Sequence, residues 1–164
     1  MIKHDIKISF DEYASVEDLN INDYTLCLEA VKALVHSHSP YSQFKVGAAL
    51  QLQSGRIIRG SNQENVAYPA GLCAERVALF HWGANYPDDP ITTIAITAHT
   101  SNFLLTQPIT PCGSCLQVLA EYEKKQKSRI RILLYCQEGP VWITNGIESF
   151  LPFLFFEERL IPQV

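Results

Sequence analysis

Hydrophobic positions recur at three- and four-residue intervals from Ile21 onward, at Tyr24, Cys27, Leu28, Val31, Leu34 and Val35. That period predicts a helix with one buried stripe, and Asp23 is the expected N-cap. Pro40 disfavours helical geometry at Ser39, so the helix should fade by His38. The period then drops to two. Residues 46–53 and 56–60 read as strands joined by a tight turn at Ser54 and Gly55. A loop over residues 61–72 leads to a second helix over 73–82, with Gly83 as its expected stop. Residues 91–98 alternate Ile and Thr as a strand does. Beyond Pro108 and Pro111 a third helix is expected over 112–124. Residues 130–136 and 141–144 read as the last strands, followed by a helical segment near Gly146 and a strongly apolar stretch at 151–156. Residues 1–20 are mixed and polar, an extended arm with one turn near 15–19.

Strands interleaved with helices imply an α/β fold, a three-layer α/β/α sandwich around one central five-stranded sheet. The hairpin makes that sheet mixed. No internal repeat or low-complexity linker breaks the sequence, so residues 21–164 are expected to form one domain behind the 1–20 arm.

Composition narrows the function classes. Hydrophobic residues make up 47% of the 164 and charged residues 18%, a balance that leaves apolar surface for a partner subunit. The formal net charge of -4 and the absence of a basic run argue against a nucleic-acid partner. Lys124, Lys125 and Lys127 read as the exposed end of the third helix. No stretch approaches the roughly 20 apolar residues that span a bilayer, so no membrane partner is expected. Five cysteines cannot all pair as disulfides within the chain. With no secretory-type apolar run at the start, a reducing cytoplasm is the expected compartment.

Three of those cysteines carry the candidate chemistry. Residues 68–76 read Tyr-Pro-Ala-Gly-Leu-Cys-Ala-Glu-Arg, placing Cys73 two residues before Glu75. Residues 111–115 read Pro-Cys-Gly-Ser-Cys and add Cys112 and Cys115. Three thiolates can hold zinc tetrahedrally and leave one corner open, which is the arrangement of a catalytic site. A carboxylate beside that corner can move protons. This grouping is the signature of zinc-dependent nucleobase deaminases. Cys73 and Cys112 are both expected in the first turn of a helix, where the dipole and unpaired N–H groups favour thiolate. Arg76 is placed to neutralise thiolate charge. Singly, each piece has an ordinary reading: Cys-x-x-Cys as another zinc or redox pair, Cys73 as a small buried hydrophobe, Glu75 as a solvated helix residue. Their order and helix-opening context favour the deaminase reading. A closed structural site would need a fourth ligand, and His36, His38, His81 and His99 offer none at zinc-finger spacing. Cys27 and Cys136 lie in apolar periodic segments and read as core.

Taken together, these segments resemble the small, homotetrameric, three-cysteine class of cytidine deaminases. Residues 41–50 (Tyr-Ser-Gln-Phe-Lys-Val-Gly-Ala-Ala-Leu) are similar to the family's opening segment, and 60–65 (Gly-Ser-Asn-Gln-Glu-Asn) to its ribose-binding loop. Residues 68–76 and 111–117 are similar to its zinc segments, and Leu151, Pro152 and Phe155 to its terminal apolar motif. The resemblance implies the family fold, one zinc per subunit and hydrolytic deamination of free cytidine and deoxycytidine in pyrimidine salvage. It implies Glu75 as the proton carrier between water and ring nitrogen 3, and Asn62 and Glu64 as ligands of the ribose 3′-hydroxyl. Phe44 would lie on the pyrimidine face and the Ala74 backbone would hold the base. Tyr68 and Phe155 would reach a neighbouring subunit's site.

Two departures stand out. Leu116 occupies the position after the last cysteine where the family usually has Arg, leaving Arg76 as the expected thiolate-neutralising cation and predicting a more electron-rich zinc. Val66 replaces the usual Ala and is expected to crowd the ribose end; Gln63 replaces the usual Val without an arguable consequence. The rival readings are a deaminase of a blasticidin-type cytosine antibiotic, a polynucleotide editor, and a zinc-stabilised binding protein without catalysis.

Overall fold

The computed structural model describes residues 1–157. The described residues form nine helices and strands: β1 (Asp11–Tyr13), α1 (Ile21–Ala33), β2 (Lys45–Leu52), β3 (Ile57–Ser61), α2 (Ala74–Asn85), β4 (Ile91–His99), α3 (Gly113–Gln126), β5 (Arg131–Tyr135) and β6 (Val141–Asn145). Short 3-10 turns add Val16–Asp18, Leu34–His36, Tyr68–Ala70 and Ile147–Ser149. The last of these replaces the helical segment expected near Gly146.

The strands form one mixed sheet in the order β1-β6-β5-β4-β2-β3. β4 and β5 are parallel, joined by the α3 crossover, and every other neighbouring pair is antiparallel. Helix α1 covers one face, where Leu26, Cys27 and Ala30 pack on Ala49, Ala95 and Leu133. Helices α2 and α3 cover the other, where Ala78, Leu79, Trp82 and Leu119 pack on Leu50, Ile94, Ile96 and Ile132. This is the expected α/β/α sandwich. Most of these side chains are fully buried, and each large one contributes about 1.5–3 kcal/mol by leaving water. Cys27 and Cys136 are buried, as expected of core residues.

The sheet has six strands rather than five. The sixth comes from the arm: Asp11, Glu12 and Tyr13 pair with Ile143, Trp142 and Val141. All three are exposed at the sheet edge, so they carry no apolar alternation to announce them. The ring of Phe10 packs 5.1 Å from that of Trp142 and secures the arm.

Two capping expectations are corrected. The N-cap of α1 is Asn20, whose Oδ1 accepts from the backbone N–H groups of Asn22 and Asp23 at 3.0 and 3.1 Å. Asp23 is buried instead, and accepts from Nη1 and Nη2 of Arg131, both at 2.9 Å. Gly83 does not stop α2, which runs on to Asn85. A Cβ there would lie 2.8 Å from the Tyr122 hydroxyl, so glycine permits close packing of α2 on α3.

Topology places the chemistry. β3 and β4 are both antiparallel to β2, so they run the same way. The chain leaves their C-terminal ends and returns through α2 and α3, so both helix starts sit at one end of the sheet. Gly60 lets α2 lie against β3, since a Cβ there would be 2.4 Å from the carbonyl oxygen of Ala74.

Candidate active site

The two helix starts deliver the three thiols. Cys73 is the N-cap of α2 and Cys112 the N-cap of α3, one position before the expected first turn. Cys115 follows one turn into α3 and is buried. The Cys73 Sγ lies 3.7 Å from the Cys112 Sγ, which lies 3.5 Å from the Cys115 Sγ. All three sulfurs fall within 4.8 Å of one another. Sulfurs held tetrahedrally at 2.3 Å from zinc would be about 3.8 Å apart, so the triad has the span that such an ion requires. Among the described residues the cluster contains these three ligands and no histidine or fourth cysteine.

Charge around the triad is unevenly spread. A hydrogen bond from Cys115, aided by Arg76 and Cys112 against the cost of burial, pulls the Cys73 thiol down to about 5. Cys115 is pushed up by its hydrogen bond to Cys73, by burial and by the charge of Glu75. Only a cation can let all three ionise together. Arg76 supplies part of the compensation: its Nη2 reaches Cys73 Sγ at 3.9 Å and the Gly71 carbonyl at 3.4 Å. Its buried Nε finds no acceptor among the described residues. An unpaired donor beside three sulfurs fits a site built for more negative charge than the thiols alone carry.

Glu75, in the first turn of α2, is 4% exposed. Burial raises its carboxyl above the ordinary 4.5, and the charge on Cys73 adds to this. Both effects suit a group that must accept and release a proton near neutrality.

A cavity of about 510 Å³ opens beside the triad, a size suited to a small ligand. Cys73, Cys112, Glu75 and Arg76 line it together with Asn62, Glu64 and Tyr68. Sequence reasoning missed Val46, Ile109 and Thr110 in the lining. Val46 lies within the 41–50 segment without having been singled out there, and the advance signal for Ile109 and Thr110 was nearness to 111–115.

Asn62 and Glu64 are braced by the chain before β2 and by the start of β2. Asn62 Oδ1 accepts from Ser37 Oγ at 2.6 Å and from the Val46 N–H at 2.8 Å, and its Nδ2 donates to the Phe44 carbonyl at 2.9 Å. Glu64 Oε2 accepts from the N–H groups of Tyr41 and Ser42 at 2.9 and 3.3 Å, and Oε1 accepts from the Ser42 hydroxyl. The Ser42 hydroxyl and both backbone N–H groups, against a small burial cost, hold the Glu64 carboxyl below its ordinary range. Of the other sequence candidates, the Phe44 ring does not line the cavity; it stacks on Phe103 with centroids 6.2 Å apart. Ala74 is fully buried. Tyr68 and Phe155 are 81% and 71% exposed. Val66, exposed and outside the cavity lining, does not crowd the pocket of its own chain. Leu116 is buried in the core beneath α3.

The sequence and fold are similar to those of known proteins. The family model for the cytidine and deoxycytidylate deaminase zinc-binding region matches residues 21–128. The chain belongs to the cytidine and deoxycytidylate deaminase family. A cytidine deaminase of Sporosarcina psychrophila is 40% identical over 144 residues, covering 82% of this chain and 92% of that protein. One of Halalkalibacterium halodurans is 44% identical over 96 residues, 58% of this chain and 68% of the relative. The crystal structure of cytidine deaminase from Burkholderia pseudomallei superposes with a TM-score of 0.68 at 36% identity, covering 80% of this chain and 98% of that one. The family's zinc-binding region thus spans both thiol segments, and the fold is that of its solved structures. Among the described residues no helix is long and apolar enough to cross a membrane.

Proposed function

We propose that the protein hydrolyses free cytidine and deoxycytidine to uridine and deoxyuridine with release of ammonia, as a step of pyrimidine salvage. The observation that carries this reading is the convergence of three sulfurs and a buried carboxyl on a cavity that also holds Asn62 and Glu64. Cys73, Cys112 and Cys115 would hold one zinc per subunit, and zinc bound there would act as a Lewis acid toward the attacking water.

Glu75 takes the proton from that water and delivers it to ring nitrogen 3 as the oxygen bonds to carbon 4. The proton of the new carbon-4 hydroxyl then passes through the same carboxyl to the exocyclic amine, the carbon–nitrogen bond breaks as the carbon-4 carbonyl forms, and ammonia leaves. Atoms balance as nucleoside plus water. The Ala74 backbone, at the start of α2, holds the base edge beside Glu75.

The sugar is held by what Asn62 and Glu64 keep in reserve. Both lone pairs of Asn62 Oδ1 and one of its N–H groups are used within the chain, leaving one N–H to donate. Glu64 accepts three hydrogen bonds and has capacity for a fourth. A hydroxyl accepting from one and donating to the other matches this pair. It suits the 3′-hydroxyl common to ribose and deoxyribose.

The exposure of Phe155 supports a homotetramer in which it reaches a neighbour's cavity, while Tyr68, exposed at the edge of its own chain's cavity, faces the same subunit seam. All five cysteines are free thiols, which suits the cytoplasm. The test is the ultraviolet absorbance change on incubation with cytidine and deoxycytidine, with and without a zinc chelator. Chelator-sensitive loss of the amine is expected. An inert protein, or one that turns over blasticidin S and neither nucleoside, would overturn the reading.

A further inference from the structure

The connection from β4 to α3, residues 100–112, carries two exposed apolar side chains, Phe103 and Leu104, that the chemistry above does not use. Phe103 is 57% exposed, yet its ring lies nearly parallel to that of Phe44, at 26° between planes. Next to it, Asn102 Nδ2 donates to the Ser42 carbonyl at 3.4 Å. Both contacts fall on residues 41–44, the segment whose Ser42 holds Glu64 and whose Phe44 carbonyl engages Asn62. Between them Gln43 sits at φ 54°, in the left-handed region that a residue with a Cβ adopts only when its surroundings hold it there. The connection is itself fixed from behind. Cys136 Sγ donates to the Leu105 carbonyl at 3.2 Å, and the Asn102 N–H donates to Thr100 Oγ1 at 3.3 Å.

We propose that Phe103 and Asn102 are positioning residues: they brace the 41–44 segment from outside the cavity and so set the sugar-binding geometry of Asn62 and Glu64. Neither lines the cavity, and both act through Ser42 and Phe44. The inference rests on the nucleoside reading given above. Removing the brace lets the strained segment relax, which loosens Glu64 without touching the thiols or Glu75. The cost therefore falls on binding of the sugar and leaves the chemical step alone.

The experiment compares wild type, Phe103→Ala, Phe103→Tyr and Asn102→Ala as full chains, measuring kcat and KM for cytidine and for 3′-deoxycytidine, together with zinc content and Tm. Phe103→Ala should raise KM for cytidine about three- to tenfold at nearly unchanged kcat, zinc content and Tm. Phe103→Tyr, which keeps the stacking ring, should restore the wild-type KM, and Asn102→Ala should shift it about twofold. The KM rise should vanish for 3′-deoxycytidine, which offers Glu64 no 3′-hydroxyl. An unchanged KM for cytidine in Phe103→Ala overturns the proposal, as does an equal rise for both substrates or a fall in kcat that tracks Tm. Wild type inert toward cytidine overturns the functional reading beneath it, an outcome distinct from active wild type with an indifferent Phe103→Ala.

Discussion

At the thiol end of the cavity the three sulfurs and the Glu75 carboxyl come from two helix starts, whereas at the proposed sugar end Asn62 and Glu64 depend on a loop that other parts of the chain must hold. Cys73 and Cys112 are N-caps, and Glu75 and Cys115 lie within the first turn of their helices. Rigid elements packed on one sheet face fix those positions, and no rearrangement is needed to gather them. Asn62 and Glu64 instead follow β3, and their side chains are tied to residues 37–46 by six hydrogen bonds. Proton transfer needs tight placement of a few atoms, and helix starts supply it. Recognition of a sugar needs many weak contacts, and a braced loop supplies them at the cost of dependence on distant residues.

The contrast can be broken most sharply at the thiols. Cys112→Ala should abolish both metal retention and turnover, since two sulfurs cannot close the site; metal analysis of the purified variant reads this directly. Glu75→Gln should retain the metal and lower kcat by about 10²- to 10⁴-fold. Its effect on stability should have the opposite sign. A folded carboxyl held above 4.5 favours the protonated form, so its contribution is present at low pH and lost as pH rises through the raised value. The glutamine variant should therefore melt no lower than wild type at pH 7, and thermal unfolding checks it.

At the sugar end the effect should be smaller and of another kind. Glu64→Gln should raise KM about tenfold with kcat nearly intact, the signature of lost ground-state binding. The smallest effect on turnover is expected from Asp23→Asn, on the far face of the sheet. Burial alone would raise the Asp23 carboxyl, but the paired hydrogen bonds and charge of Arg131 hold it below 3.8. A lowered folded value means stability that is present above about pH 4 and lost as pH falls through it. Asp23→Asn should cost about 1–2 kcal/mol at pH 7, flatten the acid limb of unfolding, and leave KM unchanged.

The same division governs how much the sequence discloses. The thiol end was legible because its residues are close in sequence, open helices, and have a spacing that few other chemistries use. The sandwich was legible because α1 and the inner strands bury one face each, so their periods are written in the residue types. β1 was not, because Asp11, Glu12 and Tyr13 stay exposed and are recruited by backbone pairing to β6 and by side-chain contacts with Trp142, none of which leaves an apolar period in the sequence. Gly83 misled for a related reason: its absent side chain serves Tyr122, a contact between helices that no local rule contains. Asp23 looked like a cap because a cap and a buried ion pair use the same residue type, and only Arg131, far along the chain, separates them. Phe44 was expected against the pyrimidine, and its stacking on Phe103 depends on a connection whose path is fixed by tertiary contacts.

Zinc-edge X-ray absorption on the purified protein, with metal quantified per chain, tests the central claim most directly. Three sulfurs at about 2.3 Å and one lighter oxygen or nitrogen neighbour are expected, at one zinc per subunit. A four-sulfur shell, a histidine-rich shell, or protein that purifies fully active without zinc would contradict it.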